Sequence, residues 1–105
     1  MSLPAATALT RALPVNFVNF SGLLAVEMLE SRGWASVTFS GERQRLKLRL
    51  EGPDARAAAD AFLDGLGERE FDLRDHILVD IACIGEAIEG EALVLTLEAL
   101  TIEAD

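Results

Sequence analysis

The clearest hydrophobic pattern lies at the C-terminal end of the chain, between Ile77 and Ile102. Two aliphatic runs rich in β-branched residues flank the polar, glycine-containing stretch 85–91. Such runs are typical of β-strands, and a turn at Glu89-Gly90 would place Ile77 opposite Ile102. The pattern therefore predicts a long β-hairpin over about residues 72–103, with apolar side chains on both of its faces.

Residues 34–51 predict another β-hairpin. If Gly41-Glu42 forms a two-residue turn, Val37 lies opposite Leu46, and Phe39 falls on the same apolar face. The other face then carries the basic residues of the second strand. This register is favoured because it separates apolar from polar side chains on both strands.

Three helices are predicted from apolar residues at helical spacing. The first covers residues 3–13, with Pro4 in its first turn, and the second covers 21–33, from an N-cap serine to a glycine. The third covers 53–65, with a proline at its start and alanines along its buried face. Residues 15–20 fit a short strand and an extended linker equally well.

This order of elements predicts an α+β fold, in which an antiparallel β-sheet is built from two hairpins, about 34–51 and 72–103, with helices packed mainly on one face. The 105 residues correspond to one domain of ordinary size. We therefore expect a single α+β domain over 1–105, in which 1–20 either packs loosely or exchanges with a neighbouring copy as an N-terminal arm. No internal repeat is evident in the sequence.

A single layer of helices leaves one face of the last hairpin without a cover. A second copy of the chain is the simplest partner for such an apolar face. We therefore expect a homo-oligomer, with a dimer favoured. Glutamate at Leu97 or Leu100 would dissociate or unfold it, depending on which face forms the core.

The charge of the chain argues against two classes of partner. The net charge is −9, which opposes nonspecific binding to nucleic acid and to anionic membranes. The first 52 residues hold six basic and four acidic residues, whereas the rest hold three basic and fourteen acidic residues. The two halves are therefore electrostatically complementary, within one molecule or between two.

Little in the sequence suggests catalysis. His76 is the only histidine; Asp72 and Asp80 share its strand face but lie about 13 Å to either side, too far for one metal site. Cys83 lies in an apolar run with no cation to activate its thiol, and a single cysteine fits a reducing, cytoplasmic location. Since nucleotide-binding loops and zinc-ligand spacings are also absent, we assign no catalytic residue, metal or cofactor, and His76 is kept only as a possible pocket residue.

One strand carries a row of cations. Alternation places four basic residues on one side of it, and the register described above puts Trp34 opposite the last of them. The row could bind an anion or an acidic partner, or it could be a solvated face that discourages edge-to-edge aggregation. The candidate binding residues are Trp34, Arg43, Arg45, Lys47 and Arg49.

These observations favour a non-catalytic, self-associating interaction or structural domain. The alternative is a small-molecule-binding protein or small enzyme with a pocket between the helices and the sheet. Such a pocket would use Trp34, Arg49 and His76 as its polar and aromatic lining.

Overall fold

The computed structural model describes residues 3–104 and shows an α+β fold, which confirms the predicted class. Four strands form one antiparallel sheet in the order β1-β2-β4-β3. Two short 3-10 helices, Leu13–Phe17 and Leu66–Glu68, follow the two α-helices. The main elements are α1 (Ala5–Ala12), β1 (Leu23–Ala35), β2 (Ser40–Glu51), α2 (Ala55–Leu63), β3 (His76–Glu89) and β4 (Ala92–Glu103).

The hydrophobic core lies between the two helices and one face of the sheet. Leucines at every second position of β2 and β4 are buried on this face, as the period of a strand requires. The rings of Phe17 and Phe62 meet above them, with centroids 4.9 Å apart. No helix in the described part of the chain is long and apolar enough to cross a membrane.

The first hairpin is longer than predicted. Residues 23–35 form β1, so the predicted helix over 21–33 is wrong. Three apolar residues of this stretch fit the period of a strand and that of a helix: Leu24, Val26 and Met28. They alternate with polar or small residues, as in a strand, and the first and last lie four apart, as on one face of a helix. Pairing with the buried leucines of β2 decides for the strand, since tertiary contacts outweigh local helix propensity.

The turn of this hairpin also differs from the prediction. It is centred on Val37 and Thr38 rather than on Gly41-Glu42. The Ser36 hydroxyl accepts a hydrogen bond of 3.0 Å from the backbone amide of Phe39. Val37 and Phe39, expected in the core, therefore lie exposed at the hairpin tip. Trp34 is opposite Gly41 and not opposite Arg49, whose neighbour on β1 is Ala25.

The last hairpin keeps its predicted register only at its open end, where Ile77 pairs with Ile102. Irregularities between Leu78 and Asp80 and between Cys83 and Gly85 then shift the pairing by one residue each. The extra residues at these β-bulges are Val79 and Ile84. As a result Cys83 pairs with Leu97 rather than Thr96, and the turn is Gly90-Glu91 rather than Glu89-Gly90.

The N-terminal segment packs onto the sheet through Leu9, Leu13 and Phe17, which are buried in the core. The predicted first helix is present, but residues 15–20 form neither a strand nor an extended linker, because the 3-10 helix continues to Phe17. His76 Nε2 lies 2.7 Å from the carbonyl oxygen of Leu3 and ties this segment to β3. Met1 and Ser2 lie outside the described residues, and exchange of the segment between copies stays a prediction.

The fold repeats one unit that the sequence barely shows. Each half consists of an α-helix, a 3-10 helix and two strands, and the halves meet where β2 pairs with β4. Residues 41–48 and 90–97 both begin with Gly-Glu and both have leucine at their sixth and eighth positions. The remaining residues of the two units differ, so the repeat is not evident from the sequence.

Candidate interaction surface

The face of the sheet opposite the helices, here called the open face, is built by all four strands. Its residues alternate with the buried leucines, and paired residues form rows across the sheet. Val79 and Ile84 are each 52% exposed, so the two bulges of β3 add apolar side chains that are accessible to solvent. The first row contains Trp34, Gly41, Ile102 and Ile77; the next contains Arg32, Arg43, Leu100 and Asp80.

One end of the open face is apolar, and we call it the apolar end. Ile77 is 51% exposed and lies on the edge strand β3, at the end of a row of apolar residues and glycine. Trp34 is half-buried, and its indole N–H is enclosed without a hydrogen-bond partner among residues 3–104. The residues of the apolar end are Trp34, Ile77, Val79, Leu100 and Ile102.

Gly41 is required at this end because the backbone of β2 comes very close to β4. A Cβ atom on Gly41 would overlap the carbonyl oxygen of Thr101. The first row therefore has no side chain between Trp34 and Ile102.

The predicted row of cations lies on the open face, along β2, and most of it is paired with carboxylates. Arg45 lies 3.7 Å from Glu98, Lys47 lies 3.9 Å from Glu89, and Arg49 lies 3.3 Å from the same Glu89. Exposed pairs of this kind contribute little to stability, but they offset much of the positive charge of the row. The arrangement favours a solvated strand face over an anion-binding surface.

The three residues of the expected pocket do not come together. Trp34 is beside Gly41, and Arg49 lies about 26 Å further along β2 at roughly 3.3 Å per residue. His76 lies on the helix side, where with Glu42 and Thr101 it lines a cavity of about 220 Å³ beside the start of α1.

The polar groups on the helix side form hydrogen bonds within the sheet. Gln44 and Thr101 are buried, and Gln44 Nε2 donates a hydrogen bond of 2.9 Å to Thr101 Oγ1. The Cys83 thiol donates to the carbonyl oxygen of Gly85 at 3.4 Å beside the bulge. Within residues 3–104, no group of three His, Cys, Asp or Glu side chains is placed to hold a metal ion.

Comparison with known proteins gives no function for this surface. No family model matches the chain, and no curated protein matches it. The geometry of the open face is therefore the basis for what we propose.

Proposed function

We propose that the protein is a non-catalytic interaction domain that self-associates through its open face, with the apolar end as the main contact. The observation that carries this proposal is the group of half-exposed aliphatic side chains around Ile77 and Val79, on a face that no helix covers. The free energy of the system falls when a partner removes apolar surface of this kind from water. A cytoplasmic location is part of the proposal.

The dimensions of the sheet suit a second copy. Four strands of about twelve residues form a face of roughly 750 Å², from strand spacings of about 4.8 Å and about 3.3 Å per residue. A specific interface of ordinary size buries about 800 Å² on each partner. Two such sheets would stack about 10 Å apart, as sheets do in β-sandwiches.

The distribution of charge supports the same partner. A twofold axis parallel to the strands would place β2 of one copy over β4 of the other, with the rows aligned. Arg45 would then face the partner's Glu98, and Arg32 would face the partner's Asp80. In the first row, Trp34 would meet the partner's Ile77. The first row would thus bring apolar side chains together, and two further rows would bring opposite charges together, whereas Arg43 would face the partner's Leu100.

The alternative function, a small-molecule pocket at Trp34, Arg49 and His76, has weaker support. The first two residues lie far apart on the open face, and the third lies on the opposite side of the sheet. A binding pocket needs polar groups that converge.

The single tryptophan provides a direct test, because Trp34 belongs to the apolar end. Emission from Trp34 should shift to longer wavelength when the protein is diluted, as the dissociating dimer exposes the indole to water. Ile77→Glu, which would place a carboxylate against the partner's Trp34, should show the dissociated spectrum at every concentration. Val18→Glu, at an exposed apolar residue that follows the first 3-10 helix and is not part of the open face, is the matched control and should behave like the wild type. Emission that is independent of concentration and identical in all three proteins would overturn the proposal.

A further inference from the structure

A groove lies between the N-terminal segment and the loop that leads into β3. Its volume is about 310 Å³, and it lies on the helix side of the molecule, away from the open face. Arg11 of α1 and Arg74 of the loop before β3 both line it, together with the apolar side chains of Ala8, Ala12 and Phe71.

These two arginines differ from most of the other cations. Five of the nine basic residues form ion pairs, and Arg69 donates hydrogen bonds to the carbonyl oxygens of Ala61, Phe62 and Asp64. Within residues 3–104, Arg11, Arg43 and Arg74 have no such partner for their guanidinium groups. In a chain with eighteen acidic residues, two of these three line the same groove.

The backbone at Arg74 is also unusual. It is the only residue other than glycine in the described part of the chain with a positive φ, of 63°. This left-handed conformation is unfavourable for arginine, and it is held by a hydrogen bond of 3.1 Å from the Arg74 amide to Asp72 Oδ1. Strain of this kind is often found at binding sites.

We propose that this groove binds a small molecule that has one carboxylate and an apolar body. The carboxylate would lie between Arg11 and Arg74, because guanidinium groups match carboxylates with paired hydrogen bonds. The apolar body would cover Ala8, Ala12 and Phe71. Glu70 and Asp72 also line the groove and would repel anions of higher charge, so a single negative charge is preferred.

Titration of the ¹⁵N-labelled protein, followed by the shifts of its amide resonances, tests this site. Sodium hexanoate should bind with a dissociation constant on the order of 1 mM. Its shifts should centre on residues 8–16 and 70–74. Hexylamine has the same body with the opposite charge and should cause no saturable shifts there. Norleucine distinguishes two sources of the carboxylate: tighter binding than hexanoate indicates an amino acid whose ammonium group contacts Glu70, and weaker binding indicates a fatty acid.

Arg74→Gly is the informative variant, because glycine adopts the positive φ without strain and the fold should be kept. It should weaken hexanoate binding at least tenfold, and Arg11→Gln should do the same. Arg43→Gln, which removes an unpaired arginine from the open face, is the control and should bind like the wild type. Unchanged affinity in both groove variants, or equal binding of hexylamine and hexanoate, would overturn the assignment.

Discussion

At the scale of single residues, the buried pair Gln44 and Thr101 shows how the centre of the sheet is fixed. They are the only polar residues among those buried in the described part of the chain. Thr101 Oγ1 accepts a hydrogen bond from Gln44 and donates one of 3.3 Å to the carbonyl oxygen of Glu42. The pair therefore links β2 to β4. Gln44 Oε1 is enclosed without a hydrogen-bond partner. The bond to Thr101 is therefore the one side-chain hydrogen bond of the Gln44 amide among residues 3–104.

We therefore predict that Thr101→Val lowers the free energy of unfolding by about 1–3 kcal/mol, because it leaves the Gln44 amide buried without an acceptor. The double variant Gln44→Leu, Thr101→Val should recover much of this loss, since it removes both polar groups together. Urea denaturation of the two single variants and the double variant measures the coupling. Additive losses would contradict a direct contact between the two side chains.

The individual site residues were predictable from the sequence where strand alternation alone places them. The cations on one side of β2 are of this kind, because a period of two residues fixes their common face. The groove was not predictable, since Arg11 and Arg74 are distant in sequence and are brought together only by the packing of α1 beside the loop before β3. The positive φ at Arg74 likewise has no signal in the sequence.

At the scale of elements, β1 shows the limit of local patterns. Residues 23–29 alternate as a strand does, yet the four-residue spacing of Leu24 and Met28 also fits a helix. The choice depends on β2, whose leucines need a neighbour on the side opposite β4. The last hairpin was predicted because its apolar runs are long, whereas its two bulges, which leave no mark in the sequence, displaced the register.

Two glycines of the first hairpin should respond to alanine in opposite ways. Gly41→Ala should destabilise by about 1–3 kcal/mol, because the added Cβ has no room beside the Thr101 carbonyl and the strands must separate. Gly33→Ala is the matched control, since the nearest atom to its added Cβ is 3.9 Å away. It should be neutral or should stabilise by up to about 1 kcal/mol, because alanine loses less conformational entropy on folding.

Chemical denaturation of both variants checks this prediction. Equal effects at the two positions would mean that β2 and β4 do not approach as closely at Gly41 as the structure indicates.

At the scale of the whole molecule, the layers define what remains for a partner. Two helices cover one face of a four-stranded sheet. The other face carries ion pairs along β2 and has the apolar end at one side. The structure also decides which leucine of the last hairpin is in the core. Leu97 is fully buried under the helices, whereas Leu100 lies on the open face beside Arg43. Glutamate at Leu97 should therefore unfold the protein, and glutamate at Leu100 should not.

The most direct test of self-association through the open face is the solution mass of the wild type, Ile77→Glu and Val18→Glu, measured by light scattering on a sizing column at low and moderate salt. We expect the wild type and Val18→Glu at twice 11.3 kDa at both salt concentrations, because an apolar contact is not screened by ions. Ile77→Glu should remain folded by circular dichroism, because Ile77 is half-exposed on an edge strand, and should elute at 11.3 kDa. A wild-type mass of 11.3 kDa, or a folded Ile77→Glu variant that is still dimeric, would contradict self-association through the apolar end.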